Sequence, residues 1–342
     1  MRHKPGNRDI IVIGASAGGL QALQHLMKDL PADLPAAVFV VMHIGTSTHL
    51  AGILDRAGGL PVSQAKSGDP IETGHVYVAA PDMHLLLHDG HLLLRRGPRE
   101  NLARPAIDPL FRTAACTFGA RVIGVVLSGA LNDGTAGLQA VKRCGGIAII
   151  QDPADALVPD MPLSAKRYVD VDYSVPIAEM GDLLARLVAE PAGKTPEIPF
   201  DVKVEATIAT QELADMDTED RLGVRSRFSC PECHGSLWEI GDGRILRYRC
   251  HIGHAFTGHG MMAAQAQEVE QLLEKLLRSH SERAELARRM AERERTDHRD
   301  RLADRLEERA RDYQRDAELM RELLVNRDSD LIALRGGPEP AE

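Results

Sequence analysis

The stretch IIVIGASAGGLQAL, Ile10 to Leu23, decides the fold. An apolar, β-branched run stops at Gly14, Ser16 stands among small residues, and helical apolar spacing resumes at Leu20, Leu23 and Leu26. The pattern is a buried strand, a tight turn and a helix. A dinucleotide-binding turn would put glycine where Ser16 stands and an acidic residue at the end of the next strand, about 20 residues on. Here that strand, AAVFVVMH (36–43), ends in His43, and the turn carries no lysine for a phosphate loop. Gly14-x-Ser16-x-Gly18 instead has the form of a nucleophile elbow, in which the helix start leaves backbone N–H groups facing whatever the serine attacks. Serine is equally a good helix N-cap, so this turn alone leaves both readings standing.

Working outward, short β-branched runs alternate with helical patterns from about residue 8 to 190, which predicts an α/β domain with a largely parallel sheet. DIIVIG, AAVFVVMH, VIGVVLSG (122–129) and GIAIIQD (146–152) read as buried strands. The segment 75–97 differs: Asp89-Gly90 between two apolar runs predicts an antiparallel hairpin within or beside the sheet. Strand ends of an open α/β sheet converge on one crevice. His43 closes one strand and Asp133 follows another in the loop ALNDG, so Ser16, His43 and Asp133 form a candidate acyl-transfer trio of nucleophile, base and orienting carboxylate. Asp108 and Asp152 are rival carboxylates, and His49, His75, His84, His88 and His91 are rival bases. A strand-end hydrogen bond for His43 and a turn with a helix cap for Asp133 are the structural alternatives.

The 342 residues predict two or three domains. With 41 basic and 50 acidic residues, a formal charge of -9, the balance argues against nucleic acid or an anionic membrane as partner. No run is long and apolar enough for a membrane span and the N-terminus lacks a signal-peptide core, so a cytoplasmic protein is expected. EPAGKTPEIP (190–199) marks the exit from the first domain, and 191–227 reads as linker with room for one short helix. Three of five cysteines then cluster in CPECHGSLWEIGDGRILRYRCHIGH, giving C-x2-C, a sixteen-residue interval and C-x3-H. Cys230, Cys233, Cys250 and His254 have the spacing of a tetrahedral structural zinc site in a ribbon-like module (228–257), with His251 as alternative ligand and a hairpin turn expected at Gly241-Asp242-Gly243. No cofactor is called for in catalysis. From Met261 to Leu334 there is no glycine or proline, and apolar residues recur at three-and-four spacing. This predicts a helical hairpin or coiled coil (261–334) with a turn in ERERTDHRDR (292–301), followed by a disordered tail (335–342).

Four segments, IVIGASAGGLQAL, VVMHIGTSTHLAGIL, RPAIDPLFRTAA and GVVLSGALNDGTAGL, in this order, resemble the signature segments of the chemotaxis protein-glutamate methylesterase catalytic domain, over about residues 8–185 (domain bounds 8–190). The resemblance implies a doubly wound, mostly parallel sheet with an antiparallel hairpin near one edge, Ser16 as nucleophile, His43 as base and Asp133 as the third member. It implies hydrolysis of glutamate methyl esters on methylated chemoreceptors with release of methanol, and in some relatives glutamine deamidation. Backbone N–H groups of Ala17 and Ala130 would hold the oxyanion, and Arg104 and Asp108, from the third segment, are candidates for a substrate groove or for a brace beneath it. Ribbon-like tails are familiar from stand-alone members. Relatives acting in chemotaxis usually carry an N-terminal receiver domain, and with the elbow at residue 14 that mode of control is expected to be absent. The family often has methionine where Ala130 stands. A related signalling protein is the other expected partner, and the helices are candidates for self-association or for docking on a signalling helix. A non-enzymatic adaptor and a small-molecule carboxylesterase are the alternative functions.

Overall fold

Strand β1 (Ile10–Ala15) lies at the centre of the sheet in a computed structural model that describes residues 6–43, 49–211, 220, 222–241 and 244–336. Its neighbours are β2 (Ala37–Met42) and β7 (Val122–Val126), and the seven strands run β3 (Val62–Gln64), β4 (Val76–Val78), β2, β1, β7, β8 (Ile147–Gln151), β9 (Tyr173–Val175), every pair parallel. The order reverses at β1. The chain passes through α1 (Gly19–Asp29) to β2 on one side, and later through α3 (Ile107–Phe118), α4 (Thr135–Arg143) and α5 (Asp160–Tyr168) to the strands on the other. This is a doubly wound sheet with its crevice at the C-terminal ends of β1 and its neighbours.

Both faces of the central strands are covered, which is why they read as unbroken apolar runs. On one face Val12 and Phe39 pack with Ile107, Phe111 and Leu138 of α3 and α4. On the other, Ile11, Ile13 and Val38 pack with Leu23 and Leu26 of α1 and Leu184 of α6 (Ile177–Ala189). The short helix α2 (Leu50–Asp55) closes that side over β3. The hairpin β5 (His84–His88) and β6 (His91–Arg95) forms a two-stranded sheet of its own beside α3, turning at Asp89 and Gly90, both at positive φ.

Part of the stretch 191–227 read as linker is instead built into the core. Helix α7 (Phe200–Gln211) buries Val202 in the cluster beneath α3 and Ile208 against Trp238 and Ile240 of the following module. Strand β10 (Gly223–Ser229) then opens a four-stranded antiparallel sheet with β11 (Ser236–Ile240), β12 (Arg247–Cys250) and β13 (Ala255–Thr257). The turn expected at Gly241-Asp242-Gly243 falls on Asp242 and Gly243, outside the described residues.

The chain divides into two compact units, Met1–Met262 and Ala263–Glu342. Helix α8 (Gly258–Thr296) starts in the first and fills the second together with α9 (Asp300–Gly336). The turn between them falls inside 292–301, with His298 at φ 61. The two helices meet on a seam of alanines, Ala284, Ala287 and Ala291 against Ala303, Ala310 and Ala317, all buried. His280 reaching Asp316 and Arg295 reaching Glu307 set the antiparallel register. Gly336 ends α9, and residues 337–342 of the expected disordered tail lie outside the described residues. No helix among the described residues is long and apolar enough to cross a membrane.

Candidate functional site

Ser16 and His43 are the first residues past two neighbouring strands. The register pairs Ala15 with Met42, and His43 N–H donates to Ala15 O at 3.2 Å, so the two residues follow side by side on strands about 4.8 Å apart. Ser16 N–H donates to Ser128 O at 3.0 Å, which ties the elbow to the loop after β7. Gly129 makes that approach possible: a Cβ there would stand 2.8 Å from Ser16 Cβ and 2.1 Å from Met161 Sδ. The cap position of α1 is Gly18 at φ 73, with no side-chain cap, so the Ser16 hydroxyl is not spent on the helix end. Ala17 and Ala130 are exposed, and neither backbone N–H has a hydrogen-bond partner among the described residues. Leu131 is held at φ 62, a conformation that a bulky residue adopts only when its surroundings impose it.

Asp133 is buried and meets His43: Nε2–H donates to Oδ2 at 2.9 Å, which leaves Nδ1 as the ring nitrogen facing away from the carboxylate. Four more donors converge on the same carboxylate. Ile107 N–H reaches Oδ2 at 2.7 Å, and Gly134 N–H, Asn101 Nδ2 and Asp108 N–H reach Oδ1 at 2.9, 3.0 and 3.3 Å. Burial pushes the Asp133 carboxyl up, but the bond from His43 and the donors of Ile107 and Asn101 outweigh it and hold the group below its usual range. The structure thus brings His43 and Asp133 into contact and seats Ser16 at the adjacent strand end. A neutral base oriented by a fixed carboxylate beside a hydroxyl is the arrangement that acyl transfer uses.

Asp108 is buried with both oxygens committed: Gly137 N–H donates to Oδ1 at 2.6 Å and Asn101 Nδ2 to Oδ2 at 2.9 Å. Burial and then the charge on Asp133 raise its pKa to about 7. Arg104 is held at Asp82 Oδ1 (2.8 Å from Nε) and Gly97 O, at the base of the hairpin. Of the rivals, His84 is buried between Pro98 O and Ala106 N–H, His75 pairs with Ser63 at 2.8 Å, and Asp152 accepts the Ala154 N–H. Asn101 is the residue that sequence reasoning missed. Its one local signal is that asparagine tolerates the left-handed conformation it adopts here, at φ 50.

In the second sheet, Cys230, Cys233, Cys250 and His254 bring their ligand atoms within 4.8 Å of one another. Cys233 and Cys250 sulfurs are 3.6 Å apart, and His254 Nδ1 is 3.7 Å from Cys230 Sγ and 3.5 Å from Cys250 Sγ. His254 Nε2 faces Glu232 Oε2 at 3.4 Å, so a carboxylate stands against the ring nitrogen that points away from the sulfurs. His251 does not join the group. Its ring packs at Gly235, where a Cβ would meet it at 2.4 Å.

A buried ionic cluster joins this sheet to the α/β core. Arg112 Nη2 of α3 donates to both oxygens of Glu100 at 2.7 and 2.6 Å. Arg247 donates through Nη1 and Nη2 to Glu205 of α7 at 2.8 and 2.6 Å. Arg249 Nη2 bridges the two, to Glu100 Oε1 at 3.1 Å and Glu205 Oε2 at 2.8 Å. Burial opposes ionisation of both glutamates, but the arginines prevail: Arg112 and Arg249 hold Glu100 at about 2, and Arg247, Arg112 and Arg249 hold Glu205 well below the carboxylate range.

Comparison with known proteins matches residues 11–184 to the CheB methylesterase family. A Leptospira interrogans protein provisionally named as a protein-glutamate methylesterase/protein-glutamine glutaminase is 38% identical over 184 residues, covering 53% of this chain and 95% of that protein. The protein-glutamate methylesterase/protein-glutamine glutaminase 2 of Anaeromyxobacter dehalogenans is 39% identical over 52% of this chain, which spans 53% of that relative's length. The crystal structure of the Thermotoga maritima CheB methylesterase catalytic domain superposes with a TM-score of 0.51 at 34% identity, covering 54% of this chain and 99% of that one.

Proposed function

The chain belongs to the CheB methylesterase family, a family of carboxylic ester hydrolases, and from that premise we propose that it removes methyl groups from glutamate esters on the helices of a chemoreceptor, releasing methanol. Deamidation of receptor glutamines follows from the same chemistry, with ammonia in place of methanol. Ser16 is the nucleophile: His43 Nδ1 takes its proton as Oγ attacks the ester carbonyl, and Asp133 fixes the tautomer and stabilises the imidazolium. The N–H groups of Ala17 and Ala130 receive the negative oxygen. The imidazolium passes its proton to the departing methoxide, and His43 then activates the water that cleaves the acyl-enzyme. Asp108 and Arg104 are assigned to bracing, since the protein itself occupies both. The reaction is placed in the cytoplasm, where receptor helices present their esters.

The reading rests on one observation above the rest: the 2.9 Å contact of His43 with a carboxylate that four other donors immobilise, at the strand end beside Ser16. An adaptor would need no such arrangement. The test is methanol release from methyl-labelled receptor membranes by the wild type and by Ser16→Ala. Release by the wild type alone is expected, and equal release by both refutes the assignment. Simple alkyl esters turned over far better than receptor esters would move the substrate to small molecules.

For the cysteine module we infer a structural zinc ion on Cys230, Cys233, Cys250 and His254. With zinc–sulfur and zinc–nitrogen bonds of about 2.3 and 2.05 Å, a tetrahedron has sulfur–sulfur edges of about 3.8 Å and sulfur–nitrogen edges of about 3.6 Å. The 3.6, 3.5 and 3.7 Å separations support that fit. Four protein ligands leave no open position, so the ion supplies folding energy to four short strands and no step of the reaction.

A further inference from the structure

Asn101 touches three parts of the molecule at once. Its Nδ2 donates to Asp133 Oδ1 at 3.0 Å and to Asp108 Oδ2 at 2.9 Å, while its Oδ1 accepts the Thr257 N–H at 3.1 Å. Its own backbone N–H donates to Ala255 O at 2.8 Å. Thr257, the last residue of β13, is buried, and its Oγ1 donates to Asn132 Oδ1 at 2.8 Å while accepting the Gly260 N–H at 3.1 Å from the first turn of α8. Asn132 is the residue between Asp133 and the strained Leu131. The C-terminal sheet therefore grips the Asp133 loop twice, through Asn101 and through Asn132, and the gripping strand begins one residue after His254.

We propose that Asn101 and Thr257 are positioning residues for the ester hydrolysis, so that the cysteine-bearing sheet forms part of the mounting of Asp133. The inference rests on Asp133 being the carboxylate of the reactive trio. Asn101 has no freedom to serve otherwise. Its carbonyl must face the Thr257 N–H and its amide the two carboxylates, since the reverse orientation would set acceptor against acceptor at Asp108 and Asp133. Removing its amide leaves Asp133 and Asp108 with one donor fewer each and takes away the group that links them. Removing the Thr257 hydroxyl frees Asn132, and with it the short loop carrying Ala130 and Asp133.

The test compares Asn101→Ala, Thr257→Val, Thr257→Ser and Ser16→Ala in the full chain. Measured are kcat and KM for methanol release from methyl-labelled receptor membranes, the pH profile of kcat/KM, and the far-downfield proton resonance of His43 Nε2–H in its bond to Asp133. Losing a hydrogen bond to a carboxylate predicts a fall in kcat of about ten- to a hundred-fold for Asn101→Ala, and a neutral bond about three- to ten-fold for Thr257→Val, with KM within about two-fold of wild type. Thr257→Ser restores the hydroxyl and the rate. The resonance shifts or broadens in Asn101→Ala and Thr257→Val and keeps its place in Thr257→Ser. The proposal is overturned if Asn101→Ala and Thr257→Val keep the wild-type kcat and resonance, or if Thr257→Ser falls as far as Thr257→Val. Should Ser16→Ala turn over like the wild type, the esterase reading fails by itself, and the resonance, which needs no turnover, still decides whether these residues hold Asp133.

Discussion

Glu100→Gln tests whether the buried ionic cluster holds the two sheets together as a set of true charges. The substitution keeps the shape and deletes one negative charge from a group of three arginines and two glutamates, leaving Arg112 without its two-oxygen partner and Arg249 with one carboxylate fewer. The carboxyl of Glu100 lies at about 2 instead of its ordinary 4.5, and at about 1.4 kcal/mol for each pH unit that gap is worth about 3 kcal/mol of stability at neutral pH. Breaking a buried ion pair by removing one partner costs about 3–5 kcal/mol, so two independent routes agree. The sign follows from the direction of the displacement. A carboxyl held low in the folded state binds fewer protons there than in the unfolded chain, so its contribution is complete above about pH 4.5 and lost as the pH falls towards 2. The difference between wild type and Glu100→Gln should therefore be about 3 kcal/mol at pH 7 and about 2 kcal/mol smaller at pH 3. Urea denaturation followed by the fluorescence of Trp238, the one tryptophan of the chain, buried in the second sheet beside α7, reads this directly. A difference under about 1 kcal/mol at pH 7, or one that does not change with pH, would show that Glu100 does not stabilise the fold as a charge.

Ser16→Ala should lower kcat by about four orders of magnitude or more while altering the urea midpoint little, because the hydroxyl supports no helix cap; a loss below ten-fold rules out the serine mechanism. Asp108, with its carboxyl raised to about 7, keeps its proton in the folded state where the unfolded chain has lost it, so it withdraws stability as the pH rises from about 4 to 7. Asp108→Asn has no such proton, and its stability relative to wild type should improve by about 2 kcal/mol between pH 5 and pH 7 in urea titrations. Metal analysis should find one zinc per chain, and chelation should change Trp238 fluorescence, open residues 223–257 to protease and reduce methanol release, all reversed by added zinc; a metal-free protein with intact strands contradicts the zinc assignment. Ala310→Glu, which places a carboxylate in the alanine seam, should destabilise the α8–α9 hairpin by about 2–4 kcal/mol, read as helical ellipticity lost at lower temperature.

The nearness of Ser16, His43 and Asp133 was legible because Ser16 and His43 stand where apolar strand runs stop and Asp133 lies in the loop after a third, and parallel strands leave their C-terminal ends together whatever lies between them in sequence. The spacing of Cys230, Cys233, Cys250 and His254 likewise foretold that the four side chains come together. Helix α7 stayed hidden because the face it buries contains Glu205 between Val202 and Ile208, and a charge in the middle of an apolar stripe erases the periodic signal. The ionic cluster and Asn101 are harder still. Arg249 and Glu100 are far apart in the chain, and a pairing of that kind leaves no pattern near either residue. The hairpin at Asp89-Gly90 was legible from its turn chemistry, whereas its separation from the main sheet depends on how α3 covers it, which no local signal expresses.

The ionic cluster also changes where this protein can be cut. The family match stops at residue 184, and a fragment ended there would lose Val202 from the core beneath α3, Glu205, Arg247 and Arg249 from the ionic cluster, and the strand that Asn101 leans on. Arg112, almost wholly enclosed in the intact chain, would face an open trench with Glu100 alone beside it. The stretch matched to the family is thus shorter than the compact unit, Met1–Met262, into which it is packed. An engineer who wishes to transplant the esterase, or a lineage that comes to shed the ribbon, has to rebuild the floor of α3 first.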